Sequence, residues 1–211
     1  MKKGVIFDMD GTLWDSAGNV AASWNQALAR SGYERKALTK EDMYRVMGRT
    51  MDEIADMLFP DCAQQERMHL LDLCCETENA YLREHGGELY PDVRKTLETL
   101  RESYPLYIVS NCQTGYIEAF LDYYGLGDLF EDKQCYGDNN RPKADNIRIV
   151  CERNNLADAV YVGDIQGDYE ASLAASVKFI HAAYGFGGID GQVARIQCFA
   201  ELTERVWQVL G

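Results

Sequence analysis

Residues 5–13 read VIFDMDGTL, and this stretch decides how the rest of the chain is interpreted. The apolar run that ends at Phe7 predicts a short buried strand. Asp8 and Asp10 follow it two residues apart, and side chains at positions i and i+2 of a strand point the same way. Because two carboxylates this close repel each other, their pKa values should separate, which suits a nucleophile beside a general acid/base. The end of this strand is therefore the candidate reaction centre.

Helical patterns dominate the next part of the chain, from residue 16 to residue 87. Apolar spacing predicts a helix over about 18–31, and Thr39 and Thr50 begin two more, the second with a capping box. A longer helix is expected over about 63–85, where Gly86 and Gly87 close it. No convincing strand interrupts the segment. We interpret it as a four-helix module inserted after the first strand.

Helices and strands alternate in the remainder of the chain. The predicted strands lie at 106–109, 134–136, 159–162 and 178–182. One predicted helix follows Pro91 and carries the stripe Val93, Leu97 and Leu100, and others lie at 116–124, 144–154, 167–176 and 202–210. This alternation predicts an α/β fold, a doubly wound parallel sheet covered on both faces, formed by residues 1–15 and 88–211. Ligands of such sheets bind beyond the carboxyl ends of the strands.

Composition excludes several classes of protein. The net charge is −13, from 34 acidic and 21 basic residues, and no basic cluster is present that could bind nucleic acid. No apolar run approaches the length of about 18–20 residues that a membrane span requires. Seven cysteines without a C-x-x-C pair indicate reduced thiols rather than a zinc site. We expect a cytoplasmic monomer that contacts neither nucleic acid nor membrane.

Polar residues follow the predicted strands at the points where a site would form. Ser110 and Asn111 come after one strand, and Asp164 and Asp168 after another. Lys143 lies between them, at the start of a helix. A hydroxyl, backbone N–H groups and an ammonium can bind phosphate oxygens, and aspartates can bind Mg²⁺. Each residue alone is more often a turn or cap residue, so their joint order carries the argument.

These motifs together identify a family resemblance that extends over essentially the whole chain. DMDGTLWDS, residues 8–16, resembles the first motif of the haloacid dehalogenase superfamily in its phosphatase branch. Ser110 resembles the second motif, Lys143 the third, and Gly163-Asp164 with Asp168 the fourth. The chain is similar to phosphoglycolate phosphatase-like and β-phosphoglucomutase-like members. This resemblance implies a Rossmann-like core with a small helical cap, residues 16–87.

The resemblance also implies a chemistry, namely Mg²⁺-dependent hydrolysis of a small phosphorylated metabolite. Asp8 would attack phosphorus to form an aspartyl-phosphate, and Asp10 would act as general acid/base. Ser110, Asn111 and Lys143 would bind the phosphate, while Asp8, Asp10 through its carbonyl, Asp164 and Asp168 would surround the metal. Four carboxylates outnumber one lysine, so a phosphate dianion would be repelled without a cation.

Three alternatives remain open at this stage. Arg141-Pro142-Lys143-Ala144 allows either Arg141 or Lys143 to be the phosphate-binding cation, and we favour Lys143 because it directly precedes the helical pattern. Arg49 is either a cap residue that meets a second anionic group or a solvated surface arginine. The reaction is phosphatase or sugar phosphomutase chemistry, and a non-catalytic phosphate-binding regulator is the third reading. Asp15 and Ser16 are predicted to cap the first helix.

Overall fold

The computed structural model describes residues 2–211, so residue 1, the first of the predicted core segment, lies outside the described residues. The described residues contain one large sheet and one small sheet. In chain order the strands are β1 (Lys2–Phe7), β2 (Trp14–Asp15), β3 (Glu88–Leu89), β4 (Leu106–Ser110), β5 (Asp132–Cys135), β6 (Leu156–Gly163), β7 (Lys178–Ala182) and β8 (Ala194–Ile196). The large sheet has the order β5-β4-β1-β6-β7-β8, and all its neighbouring strands are parallel. The predicted doubly wound α/β fold is confirmed.

The helices occupy the expected places. In chain order they are α1 (Ala17–Ser31), α2 (Lys40–Tyr44), α3 (Met51–Leu58), α4 (Gln64–His85), α5 (Val93–Arg101), α6 (Tyr116–Tyr124), α7 (Lys143–Arg153), α8 (Gln166–Ala174) and α9 (Leu202–Leu210). Within residues 2–211 no helix has both the length and the apolar character of a membrane span.

Strand β1 is buried on both faces, which fixes the position of the residues that follow it. Ile6 packs in a cluster with Ile147 of α7, whereas Val5 and Phe7 face the opposite cluster, which contains Val206 of α9. Parallel strands covered by helices on both sides are apolar throughout for this reason. The first polar side chain after the apolar run, Asp8, therefore emerges at the carboxyl edge of the sheet.

Helices α1–α4 form one segment between β1 and the rest of the sheet. The chain leaves and re-enters the core through the antiparallel pair β2-β3, in which Trp14 pairs with Leu89 and Asp15 with Glu88. Inside the segment, the rings of Trp24 and Phe59 stack with centroids 6.3 Å apart. This two-strand connection was not predicted, because two-residue strands are too short to show an alternating pattern. The three-residue β8 escaped prediction for the same reason.

Candidate active site

Three neighbouring strands bring the candidate residues to one edge of the sheet. Phe7 of β1 is in register with Ile108 of β4 on one side and with Val162 of β6 on the other. Asp8, Ser110 and Asp164 therefore leave adjacent strand ends, and all three are buried. The backbone N–H of Asp8 donates to the Val162 carbonyl at 2.9 Å, so the ladder extends as far as the carboxylate-bearing residue.

Lys143 is the cation at this edge. It is the first residue of α7, is only 5% exposed, and its Nζ donates to Asp8 Oδ1 at 2.9 Å and to Asp168 Oδ1 at 2.6 Å. Burial by itself lowers the pKa of Lys143, but the Asp168 and Asp8 carboxylates outweigh it and the pKa lies above its ordinary value. Arg141 is exposed. The structure thus brings Lys143, and not Arg141, to the aspartates.

Asp8, Asp164 and Asp168 form a buried cluster that could hold a metal ion. One carboxylate oxygen from each lies within 4.8 Å of the others. Burial raises the pKa of Asp8 to about 7, with Lys143 opposing the rise and Asp168 adding to it. Burial, and then the neighbouring Asp168, raise the pKa of Asp164 well above its usual range. An all-oxygen set with more carboxylates than ammonium groups suits a hard divalent cation, so these residues fit one.

The three carboxylates differ in how many of their oxygens are free. Asp168 is fully engaged, because Oδ1 accepts from Lys143 while Oδ2 accepts from the backbone N–H groups of Asp164 at 3.0 Å and Ile165 at 3.2 Å. Asp164 Oδ2 accepts from the Phe186 N–H at 2.7 Å. Among residues 2–211, no hydrogen bond reaches Asp8 Oδ2. Asp8 thus keeps one free oxygen, and Asp168 mainly positions its neighbours.

Asp10 stands apart from this cluster in a hydrogen-bond network of its own. Its Oδ1 accepts from Ser16 Oγ at 2.6 Å and from Tyr116 Oη at 2.7 Å, and the two hydroxyl oxygens are 2.8 Å from each other. Burial raises the pKa of the Asp10 carboxyl, and the Ser16 and Tyr116 hydroxyls oppose the rise. Asp10 is therefore held in one orientation and outside the three-carboxylate group, and the pKa values of both Asp8 and Asp10 are raised.

Gly11 is required where the chain turns between the two aspartates and the helical segment. Its φ is +79°, and a Cβ placed there would lie 2.0 Å from Asp164 Oδ2. Both the left-handed backbone and the close approach of a carboxylate exclude other residues at this position. The glycine in the quoted motif therefore allows Asp164 to reach the site.

A small cavity of about 40 Å³ lies between the sheet edge and the helical segment. It is lined by Asp8, Asp10 and Ser110 from the sheet side and by residues of α1–α4 from the other. Asn111 Nδ2 donates to the Gly48 carbonyl at 2.9 Å and so ties the two sides together.

Arg49 lines the same cavity, but its side chain is exposed. Within the described range 2–211 the Arg49 guanidinium has no hydrogen-bond or ion-pair partner. Asn111 is predicted from the sequence to bind phosphate, and in the structure its side-chain N–H donates to the Gly48 carbonyl. These two residues are therefore near the site without a contact to the aspartates.

Several residues around the aspartates were not predicted from sequence. The Ser16 hydroxyl bonds Asp10 and does not cap α1, a role that falls to Asp15, whose Oδ1 accepts from the Ala17 N–H at 3.1 Å. Phe186, in the glycine-rich stretch 185–188, donates its backbone N–H to Asp164. The contact from Phe186 to Asp164 joins residues distant in sequence, and the bond from Ser16 to Asp10 competes with helix capping. No local sequence pattern therefore predicts either contact.

Comparison with known proteins agrees with this geometry. The model of the family described as haloacid dehalogenase-like hydrolase matches residues 5–182. The phosphoglycolate phosphatase of Escherichia coli is 29% identical over 213 residues, covering 87% of this chain and 82% of that protein. The phosphoglycolate phosphatase of Aliivibrio fischeri is 30% identical over 200 residues, covering 87% and 85%.

Solved structures share the fold at lower identity. A HAD-superfamily hydrolase of subfamily IA, variant 1, from Geobacter sulfurreducens aligns with a TM-score of 0.72 at 20% identity, covering 100% of this chain and 97% of that one. CbbY from Rhodobacter sphaeroides, solved in complex with phosphate, aligns with a TM-score of 0.77 at 20% identity, covering 96% of both chains.

Proposed function

The chain belongs to the haloacid dehalogenase-like hydrolases, and on that premise we propose that it is a Mg²⁺-dependent phosphatase of a small phosphorylated metabolite. The observation that carries the proposal is the difference between the two carboxylate oxygens of Asp8. Oδ1 accepts a hydrogen bond from Lys143, whereas Oδ2 has no partner among residues 2–211. The names of the relatives, phosphoglycolate phosphatases, support the same class of reaction. The proposed substrate is a sugar phosphate or a phosphoglycolate-like molecule.

The proposed reaction begins with attack by Asp8 Oδ2 on the substrate phosphorus. A new O–P bond forms as the bond from phosphorus to the leaving alcohol oxygen breaks, giving an aspartyl-phosphate. Asp10, held by Ser16 and Tyr116, gives its proton to the departing oxygen. It then takes a proton from the water that attacks phosphorus, and Asp8 is released with free phosphate.

The remaining residues are proposed to hold charge and geometry. The Lys143 ammonium, the Ser110 hydroxyl and the backbone N–H of Asn111 bind the phosphoryl oxygens, where negative charge must be stabilised. Asp168 positions Lys143 and the Asp164 loop through its two engaged oxygens. A Mg²⁺ ion held by Asp8, Asp164 and the Asp10 carbonyl, with Asp168 beside it, would supply positive charge to the phosphoryl group.

We further propose that residues 16–87 act as a cap over a core formed by 1–15 and 88–211. The cavity between them and the bond from Asn111 to Gly48 support this division. A cap that closes over the substrate would exclude water and strengthen the electrostatic contacts. A monomeric state and a cytoplasmic location stay predictions.

A phosphate-release assay tests the proposal. Wild-type protein should release phosphate from p-nitrophenyl phosphate and from natural monoesters with Mg²⁺ and not with EDTA, and Asp8→Asn should lose at least roughly a thousandfold in rate. Asp128→Asn, an exposed aspartate remote from the cluster in sequence, is the matched control. Full activity of Asp8→Asn contradicts the proposal. Conversion of a hexose 1-phosphate to its 6-phosphate without phosphate release would identify a phosphomutase instead.

A further inference from the structure

A carboxyl group that the proposed mechanism does not use lies in the wall of the cavity. Glu78 of α4 is 4% exposed and lines the same cavity as Asp8 and Asp10. It accepts a hydrogen bond from Trp24 Nε1, and the Gln113 amide is near it. No basic side chain pairs with it in the described part of the chain. Burying a carboxyl group without a charged partner costs free energy.

Asn111 offers a second acceptor in the same wall. Its Nδ2 donates to the Gly48 carbonyl, which fixes the amide orientation, because a reversed amide would set two oxygens against each other. Its Oδ1 is buried and has no hydrogen-bond partner among residues 2–211. Unpaired buried acceptors cost free energy, and a ligand donor removes that cost.

Apart from Gly48 and Arg49, the rest of the lining on the helical side is apolar, so these acceptors decide what can bind there. The apolar residues are Val20, Trp24, Met43, Val46, Met47, Met51 and Ile54. Among the described residues, Arg49 is the one basic residue of the lining, and its side chain is exposed. An anionic leaving group would meet acceptors with no buried cation. An ammonium would lose its hydration to face a single carboxyl. A hydroxyl fits with little desolvation cost.

We propose that Glu78 and Asn111 determine specificity by accepting hydrogen bonds from hydroxyl groups of the leaving alcohol. The preferred substrates are then phosphate monoesters of polyols or sugars, rather than of hydroxy acids such as glycolate. This inference rests on the proposed phosphatase function and goes further by selecting among its substrate classes.

Four monoesters of similar size test the inference in the presence of Mg²⁺. Glycerol 3-phosphate carries hydroxyls, n-propyl phosphate is the same skeleton without them, phosphoglycolate carries a carboxylate, and phosphoethanolamine an ammonium. We expect kcat/KM for glycerol 3-phosphate to exceed that of each of the other three by roughly tenfold or more, the discrimination that one or two hydrogen bonds supply.

Two variants assign that preference to Glu78. Glu78→Met removes the acceptor at similar size and should lower the ratio of glycerol 3-phosphate to n-propyl phosphate by roughly tenfold. Glu78→Gln removes the charge and should raise the ratio of phosphoglycolate to glycerol 3-phosphate by a similar factor. Glu76→Gln, an exposed glutamate on the same helix, is the control and should change neither ratio.

The possible outcomes separate a failure of the specificity inference from a failure of the proposed phosphatase function. A wild-type preference for phosphoglycolate or phosphoethanolamine overturns the inference, and so do ratios unchanged in both Glu78 variants. If Glu78→Met loses turnover of every ester, the ratio in Glu78→Gln still decides. Absence of Mg²⁺-dependent phosphate release by the wild type from all four esters and from p-nitrophenyl phosphate would refute the proposed function itself.

Discussion

Replacing Lys143 with methionine removes the only ammonium in contact with the carboxylate cluster among the described residues. Its Nζ lies 2.9 Å from Asp8 Oδ1 and 2.6 Å from Asp168 Oδ1, and all three groups are buried. Breaking a buried ion pair on one side costs about 3–5 kcal/mol of folding free energy. For a chain of this length, each kcal/mol corresponds to roughly 2–4 °C in the midpoint of thermal unfolding. We therefore expect Lys143→Met to unfold about 6–20 °C below the wild type.

The loss of stability in Lys143→Met should depend on pH in a definite direction. Burial raises the pKa of Asp8 to about 7 even though Lys143 opposes the rise. Without Lys143 this pKa rises further, and stability is lost as the pH rises through the folded-state value. The gap between variant and wild type should thus be larger at pH 8 than at pH 5. Activity should fall by roughly a hundredfold to a thousandfold, because the phosphoryl charge loses its fixed cation.

Thermal unfolding in EDTA and phosphate release in Mg²⁺ are the two measurements. Arg141→Met is the matched control, since Arg141 is exposed two residues away and was the alternative phosphate-binding cation. It should shift neither the midpoint nor the rate appreciably. Equal effects of the two substitutions, or a larger effect of Arg141→Met, would refute the assignment of Lys143.

Two further substitutions probe single contacts. Gly11→Ala should weaken Mg²⁺ binding measured by calorimetry, because its Cβ would meet Asp164 Oδ2, whereas Gly125→Ala, also at positive φ but with nothing within 4 Å, should not. Glu78→Gln should gain stability over the wild type as pH rises from 4.5 to above 7, by about 3 kcal/mol in urea unfolding, because burial raises the pKa of Glu78 from 4.5 to about 7. A gap independent of pH would contradict the second expectation.

Sequence patterns were sufficient where a local rule decides the structure. The apolar run before Asp8 had to be a strand covered on both sides, and its parallel neighbours then had to place Ser110 and Asp164 at the same edge. Such periodic signals depend only on nearest neighbours along the chain, so the sheet and the order of its motifs were predictable.

Tertiary contacts account for what the sequence left open. Arg141 and Lys143 flank the same proline, and only the direction in which α7 begins decides which of them is buried. Ser16 occupies a helix-capping position, yet its hydroxyl bonds Asp10. Glu78 lies on a helix whose other acidic residues are mostly exposed, and nothing in its spacing distinguishes it. Each of these facts depends on elements that meet only after folding.

Trapping the phosphorylated aspartate is the most direct test of the central claim, that Asp8 becomes covalently phosphorylated. The protein is mixed with a turned-over monoester and Mg²⁺, quenched within milliseconds, and treated with borohydride, which reduces an aspartyl-phosphate to homoserine. Mass spectrometry of the peptide that contains residue 8 should show homoserine there, and none when substrate or Mg²⁺ is omitted. Steady phosphate release with residue 8 still an unmodified aspartate, or with homoserine at position 10 or 164 instead, would contradict the account.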